Sequence, residues 1–583
     1  MVDIRRALAA CAFWCVMRAT RRRAAVLPNE AAPKSPFEKS PPYDSSAQQS
    51  SEIECDKAAL KASRVCAVLA FETKRVRVGA ELFKRRSSFL AILILVASVG
   101  VGGCEVGPDY IQPWTTVPIR YKELKGWKIV QPIDELDRGA WWSMYHDEVL
   151  DRLERQVDVS NQNLAAAEAA FRQAVALVQE ARAALFPVFG ETYSGFRSHQ
   201  GPAVAGGTGF TRTTVTLETT ASWDLDVWGK IRRTIESNAA NAQASAADIA
   251  NARLSAQAQL AVAYFNMRAA DSLQRILKKL AQEFRRAQTI TENQYKQGTV
   301  SAYDVAIASA QVRSTEAEAV GVGVQRAQFE HAIAMLIGVP PAELSIAPTG
   351  LRREVPAVPP DLPSRLLERR PDIAAAERLI EAESALIGVA SAAYFPDITV
   401  SGFFGWVGSK AFPISVANEV WQIGGTATEI LFDGGLRRAD VEAAEATYYQ
   451  AVANYRQTVL TAFQQVEDAL SSLRILAHEA PLQDDAVRYS RKAVTITINE
   501  YKAGTMSFTA VVTAEQTLLS NEQTAVGILQ NRFVASVNLV QALGGGWSVN
   551  ELPDYEQLRH WQSCVDVVGA IRGNVDTEQP PCL

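Results

Sequence analysis

The side chains that build metal and nucleophile sites are sparse in this chain of 583 residues. Its five His stand at 146, 199, 331, 478 and 560, with no HExxH pair among them. The seven Cys, at 11, 15, 55, 66, 104, 564 and 582, include no CxxC. A zinc centre built from His or Cys therefore lacks raw material, and six Met make no soft stripe for copper or silver. Gly321 and Gly323 lie in a helical stretch with no strand before them, so they form no phosphate loop. With no nucleotide, nucleophile or redox motif, no catalytic residue, metal or cofactor is expected, and the chain reads as a non-enzyme. Lys plus Arg number 59 against 64 Asp plus Glu, a formal net charge of −5. That leaves no basic field to grip nucleic acid. At 48% apolar and 21% charged the chain can still bury a core.

One cysteine does have chemistry written into its surroundings. Lys84, Arg85 and Arg86 precede about thirteen apolar residues from Phe89 to Val101, followed by Gly102, Gly103 and Cys104. A transmembrane helix needs about twenty apolar residues, so this order predicts a secretory signal over 84–103. Its ending resembles the bacterial lipobox, which implies that the Cys104 thiol becomes a thioether carrying diacylglycerol and opens the mature chain. Glu105 in the next position implies export to the outer membrane. Residues 1–83, with a Pro/Ser/Gln-rich stretch, are expected to be a disordered extension or an untranslated one, with a start near Val76, Val78 or Leu82. No Cys occurs from 105 to 563, so disulfides do not build the main fold.

From 141 onward the sequence repeats itself. Tyr295, Lys296, Gly298, Thr299 and Ser301 recur as Tyr501, Lys502, Gly504, Thr505 and Ser507, each 206 residues on, and Gly338 recurs as Gly544. Ala184 to Pro187 corresponds to Ala393 to Pro396 at a spacing of 209. Prolines between the copies mark a linker. The predicted divisions are the extension (1–83), the signal (84–103), an extended lipidated segment (104–140), repeat 1 (141–346), the linker (347–363), repeat 2 (364–550) and a tail (551–583).

Each repeat reads as helix, two strands, very long helix, helix. In repeat 1 an Ala-rich helix is expected over Val149 to Leu185, a second from Ile231 to about Gln297, and a third from Ser301 to about Leu336. The second would reach about 100 Å, far beyond a globular helix. Its Leu273, Leu277, Leu280 and Phe284 step by 4, 3 and 4, the spacing of a helix packed along a neighbour. Gly298 breaks the pattern, so the two form an antiparallel hairpin; Leu436 to Lys502 and Phe508 to Leu543 repeat it. The strands alternate instead. Val215, Leu217, Ala221, Trp223 and Leu225 are apolar, while Thr214, Thr216, Glu218, Ser222 and Asp224 lie between them. A soluble sandwich strand alternates in the same way. The stretches 397–408 and 419–431 also alternate and, at about ten residues or more with aromatics, suit a tilted membrane strand; 188–198 alternates least clearly.

Four membrane strands leave two open edges in hydrocarbon, where every unpaired backbone group costs several kcal/mol. The smallest closed barrels have about eight strands, so two chains are the minimum and three give about twelve. The fold class expected is a mixed one: a membrane β-barrel plus a long α-helical barrel, built from oligomerised chains.

Here WWSMYHDEVLDRL (141–153), WDLDVWGKIRR (223–233), YKQGTVSAYDV (295–305), LERRPDI (367–373), ILFDGGLRR (430–438), YKAGTMS (501–507) and ALGGGW (542–547) make the chain similar to the TolC/OprM outer membrane factors. The resemblance is greatest to their NodT-type lipoprotein branch and covers about 104 to 550. It implies a homotrimer with a twelve-stranded barrel in the outer membrane of a Gram-negative bacterium and a twelve-helix tube through the periplasm. It also implies a periplasmic adaptor protein and an inner-membrane pump, usually of the RND class, with small molecules conducted passively. The exit duct of a type I protein secretion system is the rival within that reading. A structural coiled-coil protein without a pore would leave the strands and Cys104 unexplained.

The resemblance places Tyr295, Gly298, Thr299 and Asp304, with Tyr501, Gly504 and Thr505, at the adaptor-docking tips. Bottom-up, the two glycines supply backbone freedom for a reversal, and Asp304 sits where a carboxylate favours a helix start. A gate formed by Asp304 is the alternative. Where relatives often carry acids after the second tip, this chain has Ala510 and Thr513; Glu515 either replaces them or faces solvent. Arg232, Arg233, Arg437 and Arg438 are expected as a solvated or headgroup-facing collar, with substrate contact as the alternative.

Overall fold

The computed structural model of the chain describes residues 105–118, 120–123, 140–356, 358 and 366–559. Cys104, the signal, the N-terminal extension, Cys564 and Cys582 lie outside the described residues, as do parts of the 104–140 segment, the linker and the tail.

Repeat 1 contributes α1 (Glu148–Ser160), α2 (Gln162–Ala183), β1 (Val188–Gln200), β2 (Phe210–Asp224), α3 (Lys230–Lys296) and α4 (Ala302–Leu336). Repeat 2 contributes α5 (Pro371–Ala392), β3 (Asp397–Gly408), β4 (Glu419–Thr428), α6 (Leu436–Lys502) and α7 (Phe508–Ala542). Single helical turns lie at Pro202–Ala205, Leu366–Arg369 and Tyr555–Arg559.

The one Ala-rich helix expected over 149–185 is two helices. Asn161 adopts extended backbone (φ −67°, ψ 121°) and caps α2 by accepting from Leu164 N at 3.0 Å. Its amide donates to Leu336 O at 2.7 Å, so one side chain starts α2 and ties it to the end of α4. Asp147 caps α1 in the same way, accepting from Val149 N at 3.0 Å. Both α2 and α5 end in a tight turn just before proline, with Phe186 N donating to Ala183 O and Phe395 N to Ala392 O at 3.0 Å.

The long helices α3 and α6 each have 67 residues, and α4 and α7 each have 35. A helix of 67 residues spans about 100 Å. Pro481 lies inside α6 and removes one rung of its hydrogen-bond ladder. Glycine opens both long helices in left-handed backbone, Gly229 at φ 79° and Gly435 at φ 98°. Their first amides are met by carboxylates from the preceding loop: Asp226 accepts from Ile231 N and Arg232 N at 3.0 Å, and Asp433 accepts from Arg437 N at 3.4 Å.

The core runs along α1, α3, α5, α6 and α7. Phe265 and Phe533 stack at 4.5 Å, with Tyr145 at 4.8 Å from Phe265 and its hydroxyl 2.7 Å from Ser536 Oγ. The WWSMY motif is thus a plug where the repeats meet.

The strands form one antiparallel sheet in the order β1-β2-β3-β4. The segment 188–198, weakest in alternation, is strand because β2 pairs with it along its whole length, from Val188↔Ser222 to Gln200↔Phe210. Register settles the two faces. Tyr193, Leu217 and Trp406 share one row, Phe404 and Trp421 another, and Trp223 and Val400 a third, all on one side. Thr216, Glu218, Thr220, Ser222 and Asp224 point to the other. Phe189, Tyr193, Trp421 and Ile423 are exposed. Within the chain β1 and β4 are edges, each paired on one side only.

Candidate functional site

The two helix reversals are built alike. Gly298 at φ 71° and Gly504 at φ 76° occupy the left-handed region, which costs an L side chain about 1–2 kcal/mol. Gly298 N donates to Tyr295 O at 2.9 Å and Gly504 N to Tyr501 O at 3.0 Å. The Thr299 hydroxyl donates to Gln294 O at 2.9 Å and the Thr505 hydroxyl to Glu500 O at 3.0 Å. The same two carbonyls also accept from the threonines' own amides, Thr299 N to Gln294 O and Thr505 N to Glu500 O at 3.0 Å, so each threonine caps its helix end twice.

The tips then diverge. Asp304 closes a capping box: Ser301 N and Ser301 Oγ donate to Asp304 Oδ2 at 2.9 and 2.7 Å, and Asp304 N donates back to Ser301 Oγ at 3.3 Å. Its repeat counterpart is Ala510, and Ser507 makes no side-chain cap. Absence of the acid at the second tip is therefore also absence of the cap.

The two tyrosines differ more. Tyr295 is 50% exposed and Tyr501 5%. Tyr501 reaches from α6 onto α3, where its hydroxyl donates to Gln294 Oε1 at 2.7 Å and lies 2.8 Å from Thr291 Oγ1. Its ring rests on Phe508 at 5.6 Å. Burial pushes its hydroxyl pKa up.

Glu515 does not face solvent. It is 2% exposed, and its Oε2 has no hydrogen-bond partner. Burial first and the Glu283 carboxylate second push its carboxyl up to about 7. Glu283 lies on α3, 3.3 Å from Arg286. Asp304 and Glu515 thus occupy different settings, one a surface helix cap and the other inside the packed hairpins.

The arginine collar needs correction at Arg233, whose side chain is only 4% exposed. The extended 105–118 segment crosses the start of α3 and brings Asp109 to 2.8 Å, while Glu236 lies at 2.7 Å. The segment runs close to two helices: a Cβ added at Gly229, which opens α3, would sit 3.0 Å from Glu105 Cα, and one added at Gly107 would sit 2.4 Å from Gly388 Cα on α5. Arg232 pairs with Asp226 at 3.1 Å and Glu105 at 3.4 Å. Arg437 pairs with Asp433 and lies over the Tyr394 ring at 5.3 Å. Arg438 alone of the four is exposed.

A buried ion network was not visible in the sequence. Asp271 bridges Arg268 at 3.4 Å and Arg326 at 2.9 Å, and Glu330 meets Arg326 at 2.8 Å. Arg268 also donates to Ala347 O at 2.7 Å, clamping the start of the linker. Comparison of repeats was the available signal, since Asp271 and Glu330 become Ala477 and Ser536 while both arginines persist as Arg474 and Arg532. Among the described residues no cluster of three His, Cys, Asp or Glu could hold a metal, and no helix is long and apolar enough to cross a membrane.

Comparison with known proteins agrees with this geometry. The chain is 27% identical to the probable efflux pump outer membrane protein TtgC of Pseudomonas putida over 460 residues, covering 78% of this chain and 95% of that one. It is 27% identical to the probable outer membrane lipoprotein SilC of Salmonella typhimurium, covering 80% of this chain and 100% of that one. The solved structure of the outer-membrane channel OprN superposes with a TM-score of 0.70 at 30% identity, covering 76% of this chain and all of that one. The family model described as outer membrane efflux protein matches twice, over residues 153–339 and 362–545, and the chain belongs to that family.

Proposed function

We propose that three copies of this chain join edge to edge, β1 of one against β4 of the next, into a twelve-stranded barrel through the outer membrane. Their helical hairpins then continue the barrel as a tube into the periplasm. The observation that carries this reading is the four-stranded sheet, with an apolar row on one face, a polar row on the other, and two edges unpaired within the chain. Only closure by further strands satisfies such edges in lipid. The aromatic face would meet acyl chains and the Thr/Glu/Asp face would line water.

The chain is an outer membrane efflux channel, and the cargo class we propose is small molecules, delivered by a periplasmic adaptor that engages the tips around Gly298 and Gly504 and by an inner-membrane pump of the RND class. The duct itself supplies no energy. A lipid on Cys104 would hold the mature N-terminus in the same membrane; the lipoprotein SilC supports this. Asp304 or Glu515 as a gate belongs to the same proposal.

Reconstitution of purified protein into planar bilayers tests it. Discrete conductance steps from a species of three chains by native mass are expected. A species of one chain without conductance would overturn it.

A further inference from the structure

Two hairpins that alternate around a closed ring meet in two ways. The α3–α4 hairpin lies against α6–α7 within one chain, and α6–α7 must lie against α3–α4 of the next. The first contact is present in a single chain, and it serves as a template for the second. Equal helix lengths make the transfer simple, because every residue of one hairpin maps to the other by a shift of 206.

At the tip, the contact within the chain is the seat of Tyr501 against Thr291 and Gln294, at 2.8 and 2.7 Å. Shifted by one repeat, the group becomes Tyr295 against Thr497 and Glu500. The hydrogen-bonding types survive the shift: a phenol donor, a threonine hydroxyl and a side-chain oxygen acceptor. The acceptor alone changes character, from an amide to a carboxylate, which takes a stronger bond from a phenol. Tyr295 is half exposed where Tyr501 is buried, and Thr497 and Glu500 are partly covered on the opposite hairpin. Both halves of a seat are therefore present in each chain, Tyr295 on α3 and Thr497 with Glu500 on α6, and among the described residues no hydrogen bond joins them within it.

We propose that Tyr295 of one copy seats between Thr497 and Glu500 of the adjacent copy, its hydroxyl donating to the Glu500 carboxylate. This rests on the ring reading above. The rest of that seam is poorer than its template. Phe508 and Val512 map to Ala302 and Ala306, and Phe284 maps to Ser490. Tyr295 is then the large side chain on which the joint between copies depends at this level.

The test replaces Tyr295 by p-benzoylphenylalanine in the full-length chain, in membranes, with ultraviolet capture of the nearest C–H bonds. Covalent multimers are expected, with the link in the tryptic peptide 493–502, which contains Thr497 and Glu500. The same probe at Tyr501 should link to peptide 287–296 of its own chain, with monomer mobility on a denaturing gel. Should the Tyr295 variant fail to assemble, the probe at Thr497 is expected to capture peptide 287–296 of another chain. Multimers by native mass whose links fall outside these peptides would overturn the seat and leave the ring standing. A single-chain mass for the unmodified protein would overturn the ring.

Discussion

Replacing Glu515 by Gln isolates the energetic cost of one buried carboxyl. Burial and Glu283 carry it from its ordinary 4.5 to about 7. A folded-state pKa above the unfolded value means that the folded hairpin holds a proton the unfolded chain has released. Its stability is therefore full below about pH 4.5, falls as pH rises toward 7, and is level beyond. At about 1.4 kcal/mol per pKa unit, the whole fall is about 3 kcal/mol, of which about 2 kcal/mol lies between pH 5.5 and 8. Hydrogen exchange of amides in α7 around residue 515, corrected for intrinsic rates, reads this as local opening. In the parent protein the opening constant should rise about thirtyfold over that range. Glu515→Gln cannot ionise and should hold its protection across the range, and Glu283→Gln should lessen the parent's fall without abolishing it. Equal pH slopes in parent and Glu515→Gln, or a parent that gains protection with pH, would refute the assignment of burial and charge at this site.

Other outcomes follow from the same geometry. Tyr501→Phe strips the hydroxyl from Thr291 and Gln294 and should cost about 1 kcal/mol, read as faster hydrogen exchange in peptide 287–296. Gly504→Ala meets open space but a φ of 76°, whereas Gly338→Ala adds a Cβ 2.0 Å from Ser160 O at φ 70°. The first should cost about 1 kcal/mol and leave normal yields of folded protein, and the second should cut those yields sharply. Asp271→Asn leaves Arg268 and Arg326 facing each other with one carboxylate fewer and should cost about 3–5 kcal/mol, visible as a lowered thermal unfolding temperature in detergent. Cys104→Ser should abolish incorporation of labelled palmitate, and unchanged labelling would remove that residue as the anchor.

The sequence made long elements legible where one physical signal ruled alone. Gly298 and Gly504 end α3 and α6 because only a left-handed residue can turn the chain there. The stretch 397–408 is β3 over those same residues because alternation admits no other face assignment. Asn161 does not stand out because it lies in the polar run Ser160–Asn163, with no Gly or Pro to break the helical pattern; it shows as a double cap only once Leu336 O is beside it. Arg233 was misread because its partners, Asp109 and Glu236, come partly from a segment with no period of its own. Glu515 was ambiguous for a related reason. Alanine on several sides of α7 gives little contrast between faces, so burial depends on which helices crowd it, a tertiary fact. Asp304 was readable as a helix-start carboxylate, and the structure places it in that role.

The equal spans of the two hairpins act as a shared ruler. Deleting one residue inside α3 would rotate everything beyond it by about 100° and retract it by 1.5 Å, so that Thr291 would slide away from Tyr501 while the other hairpin stayed put. Length drift is thereby confined to places outside the ruler, such as the turns at 201–209 and 409–418 between strands, and a viable insertion in one long helix would require its twin to lengthen in step.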